Sequence, residues 1–110
     1  MLLEAQYAGG QAHLRPIYES LASVAASQGH DVERVVQKTG VSFRRRKQFA
    51  LVQAPSSKRV QLGLNLPSTP DGGRVLEVSG MCTHRVDLTS PVDVDDDVRD
   101  WIAEADAAAG

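Results

Sequence analysis

Val60-Gln61-Leu62-Gly63-Leu64-Asn65-Leu66 alternates branched apolar residues with small or polar ones over seven positions. A period of two is the signature of a half-buried strand, apolar toward a core and polar toward solvent. This run sets the fold as sheet-based. The same period extends upstream, where Val41 and Phe43 alternate with Ser42 and Arg44, and Phe49 and Leu51 alternate with Ala50 and Val52. The intervening stretches, Arg45-Arg46-Lys47 and Pro55-Ser56-Ser57-Lys58, are short enough to require antiparallel hairpins.

The period changes toward both ends. Leu14, Ile17, Tyr18, Leu21, Val24 and Ala25 recur at three and four, which predicts an amphipathic helix over 12–28. Pro16 fits its first turn, and Gly29 reads as a left-handed C-terminal stop. Val94, Val98, Trp101, Ile102 and Ala105 repeat the pattern in a closing helix. Asp93, Asp95, Asp96 and Asp97 crowd its start, where the helix dipole favours anions. Residues 32–38 suit either a short helix or a strand. Beyond the turn-rich loop 67–73, a weak strand is expected over 74–79 and a better one over 83–89, where His84, Val86 and Leu88 share a face.

The fold class that follows is α+β, an antiparallel β-meander of four to six strands. The N-terminal and C-terminal helices pack on its one apolar face. Residues 1–12 read as a flexible lead-in or linker and 13–110 as a single domain, a size that buries its own core. The polar face of the sheet is expected to present Arg44, Gln61, Asn65, Arg85 and Asp87.

Charge is strongly segregated. Residues 1–70 hold nine cations and four anions, and residues 71–110 hold three and ten, within a net charge of −2. Between Arg34 and Pro70 there is no carboxylate at all. Arg44-Arg45-Arg46-Lys47 places four cations at a hairpin tip with none of the Gly or Asn of a tight turn. Their mutual repulsion would be relieved by a polyanion. Lys38, Lys58 and Arg59 are read as extensions of that patch, and Ser42, Gln61, Asn65, His84 and Arg85 as sheet-face ligand contacts. The expected partner is an anionic ligand, nucleic acid or an acidic protein surface. The opposing reading is neutralisation of the hairpin by the acidic run Asp93–Asp97. A third is assembly, in which the basic half of one copy meets the acidic half of another as a homodimer.

Catalytic signals are sparse. Cys82 and His84 would share a face on a strand, and a thiolate–imidazolium pair is a nucleophile in principle. No third orienting group is marked, so sheet packing is the competing account and no catalytic residue is assigned; a small enzyme with a sheet–helix pocket near these two residues stands as the further alternative. His13, His30, His84 and Cys82 lack the paired spacing of a zinc site, and Asp95-Asp96-Asp97 lacks the glycine and terminal Glu of a calcium loop. No metal and no cofactor is implied. One cysteine, no long apolar run and no signal-like N-terminus lead to the expectation of a cytoplasmic chain with no membrane contact.

Lys38-Thr39-Gly40-Val41-Ser42-Phe43-Arg44-Arg45-Arg46-Lys47-Gln48-Phe49-Ala50, Val60–Leu66 and Cys82-Thr83-His84-Arg85-Val86 together resemble a bacterial domain of unknown function, family 5655, over roughly residues 14–108. The resemblance implies a small α+β domain and brings no catalytic residue with it. Some relatives carry the label predicted transport protein. Glu4-Ala5-Gln6-Tyr7-Ala8-Gly9 is similar to the joint that follows a second N-terminal module in longer relatives. This implies either a stand-alone version or a C-terminal piece of something larger.

Overall fold

In the computed structural model, which describes residues 2–109, the alternating run becomes strand β4 (Arg59–Leu64). Val60, Leu62 and Leu64 on β4 are wholly buried. Around it lie β1 (Glu33–Val36), β2 (Val41–Arg44), β3 (Gln48–Ser56), β5 (Leu76–Glu77) and β6 (His84–Leu88). These form one antiparallel sheet in the order β1-β2-β3-β4-β6-β5. The first four strands are a meander, as the hairpin lengths predict. The last pair departs from it: β5 takes the outer edge and β6 returns between β5 and β4. Burial fits this order, since β6 buries His84, Val86 and Leu88 beside β4 while Leu76 on the outer strand is 48 % exposed. An edge strand of two residues also offers little template for unwanted pairing.

Helices α2 (Arg15–Ala26) and α3 (Asp96–Ala109) cover the same face. Leu14, Ile17, Tyr18, Leu21 and Ala25 meet Val98, Trp101, Ile102 and Ala105 in one core with Val41, Phe43, Ala50, Val52, Leu62, Leu64, Val86 and Leu88. The expected helix over 12–28 is shorter as an α-helix, because Gly9–Leu14 winds as a 3₁₀ turn into it. Within residues 32–38, Glu33–Val36 form a strand and not a helix. Leu51 does not share the core face with Phe49: it pairs with Ser42 and Gly63 on the opposite face, while Phe49 is buried in the core. A register shift beside Arg44 accommodates this change of phase.

Where a flexible lead-in is expected, residues 2–12 carry helical structure. Helix α1 (Leu2–Gln6) leads to Tyr7, which is 4 % exposed and stacks obliquely on Tyr18 with ring centroids 5.3 Å apart. Gln6 Nε2 donates to the carbonyls of Gln37 (2.7 Å) and Gly40 (3.3 Å), fastening the segment to the β1–β2 turn.

Two carboxylates of the acidic run, Asp93 and Asp95, are engaged where they stand. Asp93 Oδ2 accepts from the Thr89 and Ser90 amides, and Asp95 Oδ1 caps α3 by accepting from the Val98 amide at 3.1 Å. Arg74 donates to Asp95 at 2.9 Å and to the Asp93 carbonyl at 3.2 Å, with its guanidinium 5.3 Å from the Trp101 ring centre. These amide hydrogen bonds, with the Arg74 charge as a smaller aid, hold both carboxyls below the usual range. Among the described residues, no helix is long and apolar enough to cross a membrane.

Candidate functional site

The β2–β3 hairpin does not present four equivalent cations. Arg45 turns inward. Its Nε donates to Asp106 Oδ1 at 2.8 Å, and its Nη atoms reach Asp31, the Gln28 carbonyl and Asp106 Oδ2. Asp106 is 8 % exposed, so the guanidinium supplies the charge that allows a carboxylate to sit there. Bonding to Asp106 in turn raises the arginine pKa. Gly29 is part of this arrangement and not a left-handed stop, because its φ is negative. A Cβ on Gly29 would lie 2.7 Å from Asp31 Oδ1 and 2.8 Å from Arg45 Nη2, so a larger residue would make that pair shift.

Arg44, Arg46 and Lys47 are exposed, and among the described residues no ion pair engages them. Lys47 borders the last turn of α3 at Ala108 and Ala109. The neutralising partner of the hairpin is therefore Asp31 and Asp106, not Asp93–Asp97, and it takes one cation of four.

Topology also divides the seven expected anion contacts. Lys38 lies in the β1–β2 turn and Lys58 in the β3–β4 turn, both at the opposite end of the sheet from residues 44–47. The length of β3 sets Lys58 about 26 Å from the hairpin tip, and the shorter β2 sets Lys38 roughly 15 Å from it. Lys38, Lys58 and Arg59 thus do not extend the hairpin patch. Arg59 instead faces Asp87 at 3.7 Å.

The uncovered face of the sheet carries a second concentration of polar groups. Ser42, Leu51, Gly63 and Arg85 form one row across four strands, and Gln53, Gln61 and Asp87 form the next. Ser42 Oγ donates to Gln48 Oε1 at 2.6 Å, which leaves it buried and satisfied. Gln48 Nε2 lies 3.8 Å from Cys82 Sγ. Asn65 is a staple: its Nδ2 donates to the Gln48 carbonyl and its Oδ1 accepts from the Thr83 amide.

Cys82 and His84 are not brought together. Cys82 precedes β6 and rests on Gly63, on the uncovered face. His84 pairs with Leu64 on the helix-covered face, 3 % exposed, held by Thr69 Oγ1 at 2.9 Å and Thr83 Oγ1 at 2.7 Å. The His84 ring is thus engaged by two threonines, although the residue also borders the hollow on the open face. Burial pushes the Cys82 thiol up, and the Gln48 amide opposes this only in part. Among the described residues, no group of three or more His, Cys, Asp or Glu side chains is placed to hold a metal ion.

What sequence reasoning missed is the anchoring set of Gln28, Asp31 and Asp106. One signal was there to read: Asp106 stands four residues after Ile102, on the border of the apolar stripe of α3, an unusual place for an unpaired carboxylate.

A helix-backed antiparallel sheet with a braced basic hairpin and an open polar face defines a small α+β domain. The chain belongs to the domain of unknown function DUF5655, whose family model matches residues 3–105, including the segment that holds Tyr7. No curated protein and no solved structure matches the chain.

Proposed function

We propose that this domain is a non-enzymatic binding module that engages an anionic partner through the β2–β3 hairpin. One observation carries the reading: Arg45 is fixed from beneath by Asp106 and Asp31, so Arg44, Arg46 and Lys47 stand on a braced turn with their charges unspent. A braced turn loses less conformational freedom on binding than a mobile one. Phe43 and Phe49, which flank the cluster, are 1 % and 0 % exposed and have no ring to offer a base. The favoured partner is accordingly a phosphodiester backbone, bound by charge without base stacking. The single, buried cysteine suits a cytoplasmic setting.

Anisotropy of a fluorescent oligonucleotide at low salt tests this reading. The Arg44→Ala/Arg46→Ala/Lys47→Ala variant is expected to lose binding while keeping its circular dichroism spectrum. Undiminished binding by that variant, or no binding by the parent at low salt, would overturn the proposal. Capture of an acidic protein in place of nucleic acid would reassign the partner.

A further inference from the structure

The uncovered face of the sheet contains a hollow of about 290 Å³, remote in kind from the hairpin. Leu51 and Gly63 form its floor, and Val78, Met81 and Cys82 form the wall from the loop before β6. Gly63 makes the hollow possible. A Cβ there would stand 2.7 Å from Cys82 Sγ, so a larger residue would displace the thiol or raise the loop. Three polar side chains converge on the rim: Gln53, Gln61 and Arg85. The two carboxamides face each other in register, and among the described residues no hydrogen bond engages either side chain.

Charge beside the hollow is unbalanced. Arg59 Nε and Arg85 Nε approach the same Asp87 oxygen, at 3.7 and 3.4 Å, and neither makes a hydrogen bond although both atoms are buried. Two guanidiniums share one carboxylate, leaving one positive charge and two Nε–H donors without a hydrogen bond. Buried donors without partners are rare in folded proteins and mark places where a partner is expected.

We infer that this hollow is a binding site for a compact organic anion, an apolar body against Leu51, Gly63 and Met81 with an oxyanion, carboxylate or phosphate, met by Arg85, Gln53 and Gln61. The volume lies at the lower limit for small-molecule sites, which fits a ligand of few heavy atoms. The apolar floor with few convergent polar groups is the usual build of such sites. A guanidinium is the side chain whose planar donors suit either oxyanion.

The test is an amide-detected NMR titration of the full chain with benzoate, phenyl phosphate and, as the neutral counterpart, benzyl alcohol. Saturable shifts are expected at Gly63, Cys82 and Arg85 with one or both anions and not with benzyl alcohol; which anion acts distinguishes carboxylate from phosphate recognition. Arg85→Gln, which keeps the chain length and removes the charge, is expected to weaken binding by roughly tenfold. Ser79→Phe, a change at an exposed rim position, is expected to block the hollow without touching the core. The Arg44→Ala/Arg46→Ala/Lys47→Ala variant is expected to titrate like the parent, so the two proposals fail independently. Absence of saturable shifts, equal binding of benzyl alcohol, equal affinity in Arg85→Gln, or shifts confined to residues 44–47 would each overturn the inference.

Discussion

Arg45 and Asp106, 61 residues apart in sequence, meet at 2.8 Å beneath the β2–β3 hairpin and tie the turn to the closing helix. The pair joins the basic half of the chain to its acidic half at one point, so charge segregation along the sequence is partly repaired in space. Removing Arg45 strands a carboxylate that is 8 % exposed. Arg45→Met is therefore expected to lower Tm by several degrees, and Arg46→Met to leave it unchanged. In Arg45→Met/Asp106→Leu part of the loss should return, because no lone buried charge remains. Thermal melts of the four proteins check this, and equal melting of the two single variants would refute the anchoring role.

The same division governs binding. If Arg44, Arg46 and Lys47 each neutralise one phosphate, the logarithm of affinity should fall against the logarithm of salt with a slope of roughly −2.7. Each single alanine variant should reduce the slope by about 0.9. Arg45→Met should leave it where it was, within a folded population. A slope of roughly −3.6, or one that Arg45→Met reduces, would mean that Arg45 leaves Asp106 to meet the ligand.

Much of this fold was legible because it rests on periodicity. The two-residue period of 60–66 and the three-and-four spacing from Leu14 to Ala25 reflect which side chains leave water, and burial decides both. The order of β5 and β6 was not legible, since alternation shows which face a strand buries and not which neighbour it takes. Gly29 misled for a related reason. Its place after a helix suggested backbone freedom, whereas its cause is the guanidinium packed where a Cβ would stand. The hairpin charge was visible in the sequence, but its division into one anchored and three exposed cations depends on Asp31 and Asp106, which only folding brings near.

Gly63 and Cys82 offer a test of the loop that walls the hollow. Gly63→Ala places a methyl 2.7 Å from Cys82 Sγ, and the sulfur must move or the loop must rise. The expected cost is about 1 kcal/mol, at the lower end for overpacking because the thiol can rotate. Cys82→Ala in the same chain removes the contact, leaving the Cys82 Cβ position at 3.3 Å and the Leu51 carbonyl at 3.5 Å. Most of the stability should return in the double variant, measured by denaturant unfolding. Additive losses would show that the two residues do not press on one another.

Cys82 should also react slowly. Its thiol is buried and its pKa is raised chiefly by burial, so little thiolate is present at neutral pH. Alkylation by iodoacetamide is expected to run well behind that of a free cysteine under native conditions and to match it in denaturant. Rapid native labelling would place the sulfur in an open, activated setting.

Acid should act through the start of α3. The carboxyls of Asp93 and Asp95 titrate below the ordinary range when folded, chiefly because backbone amides donate to them. In the unfolded chain they titrate near about 3.9. A depressed folded value means the unfolded state binds protons first, so this stability is complete above that pH and is lost as pH falls through the folded values. Asp93→Asn/Asp95→Asn is expected to be less stable than the parent at neutral pH, since it lacks the charge that Arg74 and the helix start favour. The gap should close as the solution is acidified, because the parent's own carboxyls then become neutral. Denaturant midpoints followed by circular dichroism from pH 7 to roughly pH 2 provide the measurement. A gap that stays constant over that range would assign the loss to changed packing at residues 93–95 and not to ionisation.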